Sequence, residues 1–78
     1  MEDMNFPVYR KYRNGRSFFK IIHPTLVEEV QLVGSRRVIY RLEALLYPDK
    51  VFIADLLLDR TVALEATEEE YLAAKGAN

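Results

Sequence analysis

Apolar runs along the chain alternate with turn signals spaced roughly ten residues apart. The signals are Asn14-Gly15, His23-Pro24, Gly34-Ser35, Pro48-Asp49 and Asp59-Arg60. Runs rich in Val, Ile, Tyr, Phe and Leu fill the intervals. This rhythm predicts an antiparallel meander of about five strands. In the first hairpin, Asn-Gly suits a tight type I′ turn. It joins Val8–Arg13 to Arg16–His23 and sets Tyr12 against Ser17, Arg10 against Phe19 and Val8 against Ile21.

The second hairpin turns at Gly34-Ser35. A two-residue loop would put Glu28 opposite Arg41 and Leu32 opposite Arg37. A three-residue loop, with Val33 opposite Arg37, aligns Leu26, Val30 and Leu32 with Ala44, Tyr40 and Val38 and is preferred on apolar matching. A third hairpin is expected at Pro48-Asp49-Lys50, Pro suiting the first corner of a type I turn. It would set Leu46, Ala44 and Leu42 against Phe52, Ala54 and Leu56, so that the even positions from Val38 to Leu58 form the core face. A short last strand, Val62–Glu65, follows.

One C-terminal helix completes the α+β expectation. Thr67 and Glu70 have the spacing of a capping box, Glu68–Glu70 suit the positive end of a helix, and Gly76 can end it. Such a helix is about 14 Å long, against a sheet about 24 Å across. It would cover about a quarter to a third of one face. Odd positions Val27, Val33, Ile39, Leu45, Ile53 and Leu57 make the second face apolar as well. The excess must be closed by curling toward an open barrel or by a second copy, with Val27, Ile39, Leu45, Ile53 and Leu57 as the candidate interface.

Composition narrows the chemistry. The chain has 78 residues, half of them apolar and 29% charged, which fits one globular domain over residues 1–78. Residues 1–6 and 76–78 are expected to be loosely ordered. There is no Cys, which excludes disulfides, thiolate metal sites and Cys nucleophiles. Val51–Leu58 is the longest apolar stretch and far too short to span a membrane. The acidic Met1-Glu2-Asp3-Met4 start is unlike a signal peptide, so a cytoplasmic location is expected. No cofactor is expected.

The net charge of −1 conceals an asymmetry: residues 1–24 carry a net +3 and residues 55–78 a net −4. On one face of the first hairpin stand Tyr9, Lys11, Arg13, Arg16, Phe18 and Lys20. Cations there could neutralise phosphates while the rings stack on unpaired bases, the chemistry of single-stranded nucleic-acid binding. The plainer reading packs the rings in the sheet and sets the cations against Glu68–Glu70.

Other candidates are weaker. Glu43 and Asp55 would face each other across neighbouring strands and could share a proton or a hard cation. Arg41 and Glu29 nearby make a charge ladder the simpler account. His23 is a lone loop histidine, and Ser17 and Ser35 have no evident base. Glu68–Glu70 point about 100° apart on a helix and cannot converge on one ion. No nucleophile elbow, phosphate loop or dinucleotide fingerprint occurs.

The succession NGRSFFKI, VEEVQLVGS, YPDKVFIADLLL and EEEYL resembles small bacterial proteins of unassigned function, built as a meander followed by a C-terminal helix. The resemblance implies architecture and carries no activity. The expected role is a non-enzymatic protein-interaction module, homodimeric through an apolar sheet face or an edge strand. Single-stranded nucleic-acid binding by the basic hairpin is the alternative.

Overall fold

A computed structural model describes residues 4–76. Four strands run as a meander: β1 (Val8–Lys11), β2 (Ser17–His23), β3 (Leu26–Val33) and β4 (Arg36–Glu43). Helix α1 (Tyr47–Leu58), the short strand β5 (Leu64–Glu65) and helix α2 (Glu68–Lys75) follow. The sheet is antiparallel with order β4-β3-β2-β1-β5, because β5 returns to pair with β1. It stays open, with β4 and β5 as its edges, and does not curl into a barrel.

The first hairpin keeps the expected register, Val8 opposite Ile21 and Arg10 opposite Phe19. Its turn is not type I′. Only Gly15 is left-handed, at φ +73°, and Asn14 instead accepts from the Arg16 backbone N–H at 2.8 Å. The second hairpin corrects the preferred register. Val33 pairs with Arg36, Leu32 with Arg37 and Glu28 with Arg41, across a two-residue Gly34-Ser35 turn. Gly34 at φ +62° followed by a residue of negative φ is the pattern of a type II′ turn, which favours glycine first. Apolar matching misled because this face of β3 carries a buried carboxylate, Glu28.

The largest correction is residues 47–58, which form α1 and not a hairpin with β4. Pro48 and Asp49 start a helix as readily as they turn a corner. Proline needs no N–H donor in the first helical turn, and an acid there suits the dipole. Leu and Ala downstream are strong helix formers. Apolar residues fall on every side of this segment, so neither a period of 2 nor one of 3.6 stands out. Glu43 and Asp55 are therefore not cross-strand partners: Glu43 ends β4 and Asp55 lies on α1.

The two helices cover opposite faces of the sheet. On one face Ile53, Leu56 and Leu57 of α1 pack with Phe19, Ile21, Val27, Ala44 and Ala63. On the other, Tyr71 and Ala74 of α2 pack with Val30, flanked by Tyr9, Phe18, Leu32 and Leu72. This explains the two apolar faces without a second subunit. Val27, Ile53 and Leu57 belong to the monomer's own core, at 3% exposure or less. Met4 and Phe6 also pack on the α1 side, so residues 4–6 are part of the fold. The expected looseness of residues 1–3 and 77–78 lies outside the described residues. No helix among the described residues is long and apolar enough to cross a membrane.

Candidate interaction surface

β4 is an edge strand of eight residues, none of them fully buried. Its hydrogen-bond parity follows from the turn. Residues flanking a two-residue turn bond each other, and bonded pairs then alternate along the ladder. Arg36, Val38, Tyr40 and Leu42 therefore bond inward to β3, in phase with the bond from Ala44 N–H to the Thr25 carbonyl at 2.7 Å. The N–H and C=O groups of Arg37, Ile39, Arg41 and Glu43 point away from the sheet. Such a row is a template for another strand.

Most of the exposed large apolar side chains belong to β4 or to the chain segments on either side of it. Val33, Ile39, Tyr40, Leu45, Leu46, Tyr47 and Val51 are all exposed, Leu45, Leu46 and Tyr47 each by about 70% or more. Among the described residues, Leu58 alone of the exposed large apolar side chains lies elsewhere along the chain. Of the candidate interface, Ile39 and Leu45 are on this surface. Ile39 lies on the α2 face and Tyr40 on the α1 face, so these side chains flank the edge on both sides.

Charge on the edge is ordered. Arg37 donates its Nε–H to the Ala74 carbonyl at 2.7 Å, which fixes it on the α2 side, and its two terminal nitrogens make no hydrogen bond among the described residues. Arg41 lies 3.7 Å from Glu28. Glu43 makes no ion pair among the described residues. Glu28 itself, 8% exposed, accepts from the Tyr71 hydroxyl and from Lys75 Nζ at 2.9 Å. Burial would raise its carboxyl, but the Tyr71 and Lys75 hydrogen bonds, with the charges of Lys75 and Arg41, hold it below the ordinary range. Burial, followed by the Glu28 carboxylate, pushes the Tyr71 hydroxyl strongly up.

The basic hairpin is arranged differently. Tyr9, Lys11, Phe18 and Lys20 lie on the α2 face of the sheet. Lys11 Nζ is 2.6 Å from Glu70 Oε2. The Tyr9 ring sits 5.6 Å from that of Tyr71, and Phe18 packs in the same cluster. Burial and the nearby Glu68 carboxylate raise the Tyr9 hydroxyl. Arg13 reaches the Arg60 carbonyl at 3.4 Å, while Arg16 is exposed at the hairpin tip. The +3 beginning and the −4 end thus meet at Lys11–Glu70, and the two rings lie against α2 instead of standing free. A shallow cleft of about 700 Å³ between the hairpin tips is lined by Arg16, Gln31 and Val33 among others.

The remaining candidates stay apart. His23 Nδ1 lies 3.0 Å from the Thr25 hydroxyl in an exposed turn. Ser17 is buried in β2 and Ser35 sits in the Gly34-Ser35 turn. Glu70 caps α2, while Glu68 and Glu69 occupy its exposed first turn. Sequence reasoning missed the Glu28–Tyr71–Lys75 cluster and the free edge at β4. The signal for the first was present in two acids at mid-strand, Glu28-Glu29, where one must face a helix. The second depends on strand order, which the short β5 decides. No protein family, curated protein or solved structure matches this chain.

Proposed function

We propose that the protein is an interaction module that docks an extended segment of a protein partner along the β4 edge, with Leu45, Leu46 and Tyr47 as a second contact. One observation carries this reading. Among the described residues, β4 is the one long edge of the sheet and has no partner for the outward N–H and C=O groups of Arg37, Ile39, Arg41 and Glu43, and most of the exposed apolar side chains lie on it or next to it along the chain. Main-chain bonds along such an edge give affinity, and alternate side chains give selectivity. Arg36, Arg37, Arg41 and Glu43 of β4 do two things here. They discourage indiscriminate strand pairing, and they select a partner by charge.

The test is capture of displayed eight-residue peptides by immobilised protein, repeated on Ile39→Pro. Proline at 39 removes an outward donor and leaves the β3–β4 bonds in place. Selected peptides should lose at least tenfold in affinity on the variant. Equal binding to both proteins would move the docking site away from β4.

A further inference from the structure

We propose that the occupant of the β4 edge is a second copy of this chain, paired antiparallel about a two-fold axis at Tyr40. The inference rests on the edge-docking reading and adds the partner and its register.

Symmetry leaves few choices. A two-fold axis perpendicular to the sheet joins two β4 strands antiparallel and keeps both α1 helices on one side. Bonded pairs form only between outward-facing residues, here Arg37, Ile39, Arg41 and Glu43. The register can therefore shift only in steps of two. The three most extensive pairings centre on Ile39, Tyr40 or Arg41.

Charge separates them. Centred on Ile39, Arg37 meets the partner's Arg41, and the symmetric contact repeats the repulsion. Centred on Arg41, that guanidinium meets the partner's Arg41 on the axis. Centred on Tyr40, Arg37 meets the partner's Glu43 and Glu43 meets the partner's Arg37. Opposite charges directly across an antiparallel pair stabilise it, and like charges destabilise it. The same register places Val38 against the partner's Leu42 and Tyr40 against the partner's Tyr40 on the α1 face. It is also the one register in which all four outward residues form bonded pairs. The groups are prepared for it: Arg37 is already held at the edge by Ala74, and Glu43 has no ion-pair partner among the described residues. Leu45 and Leu46 then come alongside the partner's Gly34-Ser35 turn and its exposed Val33. A contact of this size is expected to be weak, in roughly the micromolar range.

The native chain has no cysteine, so single cysteine variants report the register. Opposed residues of a non-bonded pair lie about 4.5 Å apart at Cα, within disulfide reach. Under mild oxidation Tyr40→Cys should cross-link at least tenfold faster than Ile39→Cys or Arg41→Cys. Fastest cross-linking at 39 or 41 overturns the register. A monomer by light scattering at roughly millimolar concentration, with no cross-link in any variant, overturns the second copy. Peptide capture by β4 would survive that result, so the two readings fail separately. Charge exchange gives a second arm. Arg37→Glu and Glu43→Arg should each weaken self-association by about tenfold, and an equal mixture of the two should restore it as a heterodimer. Two single variants that associate like the native chain overturn the pairing.

Discussion

The two helices sit on opposite faces of one sheet and are held there by different means. α2 carries its own signals. Thr67 and Glu70 form a reciprocal capping box, Glu68–Glu70 occupy the positive end, Lys75 the negative end, and Gly76 closes it left-handed. α1 carries few. Leu46 at its N-cap offers no side-chain acceptor, and its last turn has no basic residue. Its final carbonyls are met from outside. Arg10, 46 positions earlier, donates Nε–H to the Leu56 carbonyl at 3.1 Å. Its Nη2 reaches the Leu57 carbonyl at 3.3 Å, and Arg60 reaches the same carbonyl. One helix is specified by local chemistry and the other by what it packs against. In proteins most helical stability comes from the second source.

The comparison breaks most severely at the core beneath α1. Ile53 is fully buried between the helix and the sheet. Ile53→Ala should cost about 3–4 kcal/mol in urea denaturation, from lost burial and an unfilled cavity. Native-state hydrogen exchange should show α1 losing protection before α2, because α1 has little besides this packing to hold it. Equal loss in both helices would erase the distinction. Arg10→Met comes next. It leaves the Leu56 carbonyl without its buried donor and the Leu57 carbonyl with Arg60 alone, and should cost about 2–3 kcal/mol. Burial, followed by the nearby Arg60 charge, lowers the Arg10 guanidinium, which remains protonated at neutral pH because arginine starts so high. Arg10→Lys should rescue little, since an ammonium lacks the fork that serves Leu56 and Leu57 together.

The same contrast explains what could be read in advance. The first hairpin's register was legible because the Asn14-Gly15 pair marks the centre of the connection, and pairing outward from that centre holds even though the turn type differs. α2 was legible because a capping box spans only four residues. α1 was not, since Pro48-Asp49 opens either a turn or a helix, and the following residues are apolar on all sides. That one ambiguity propagated. Reading 51–58 as a strand put Ile53 and Leu57 on an outer face, created the Glu43–Asp55 pair, and hid the edge at β4. Ile39 and Leu45 are exposed all the same, Ile39 on the β4 edge and Leu45 in the link that replaces the end of the expected strand. Glu28 was passed over because its partners, Tyr71 and Lys75, lie 43 and 47 positions away.

A smaller effect is expected where local chemistry rules. Thr67→Ala removes the side chain that accepts from Glu70 N–H at 3.1 Å, and should cost about 1 kcal/mol. The loss should appear as earlier fraying of α2 in hydrogen exchange, with α1 unchanged. A matching loss in α1 would show that the helices are coupled more tightly than their separate faces suggest.

The smallest effect near neutral pH, and the one that sharpens the comparison most, is titration of Glu28. Its carboxyl lies below the ordinary 4.5 in the folded protein. Between those two values the unfolded chain binds the extra proton, so stability rises with pH there. The contribution is complete above about pH 5–6 and is lost as pH falls through the folded value. Protonation weakens the hold on Lys75 and Arg41, which tie α2 to β3 and β4; among the described residues no counterpart carboxylate ties down α1. Acidification should therefore release α2 first, the reverse of the order caused by Ile53→Ala. Glu28→Gln should be less stable than the native chain at pH 7, with the difference shrinking toward pH 3. A difference that stays constant across that range would remove the charge of Glu28 from the account of how α2 is held, and leave the Tyr71 hydrogen bond and apolar packing to explain it.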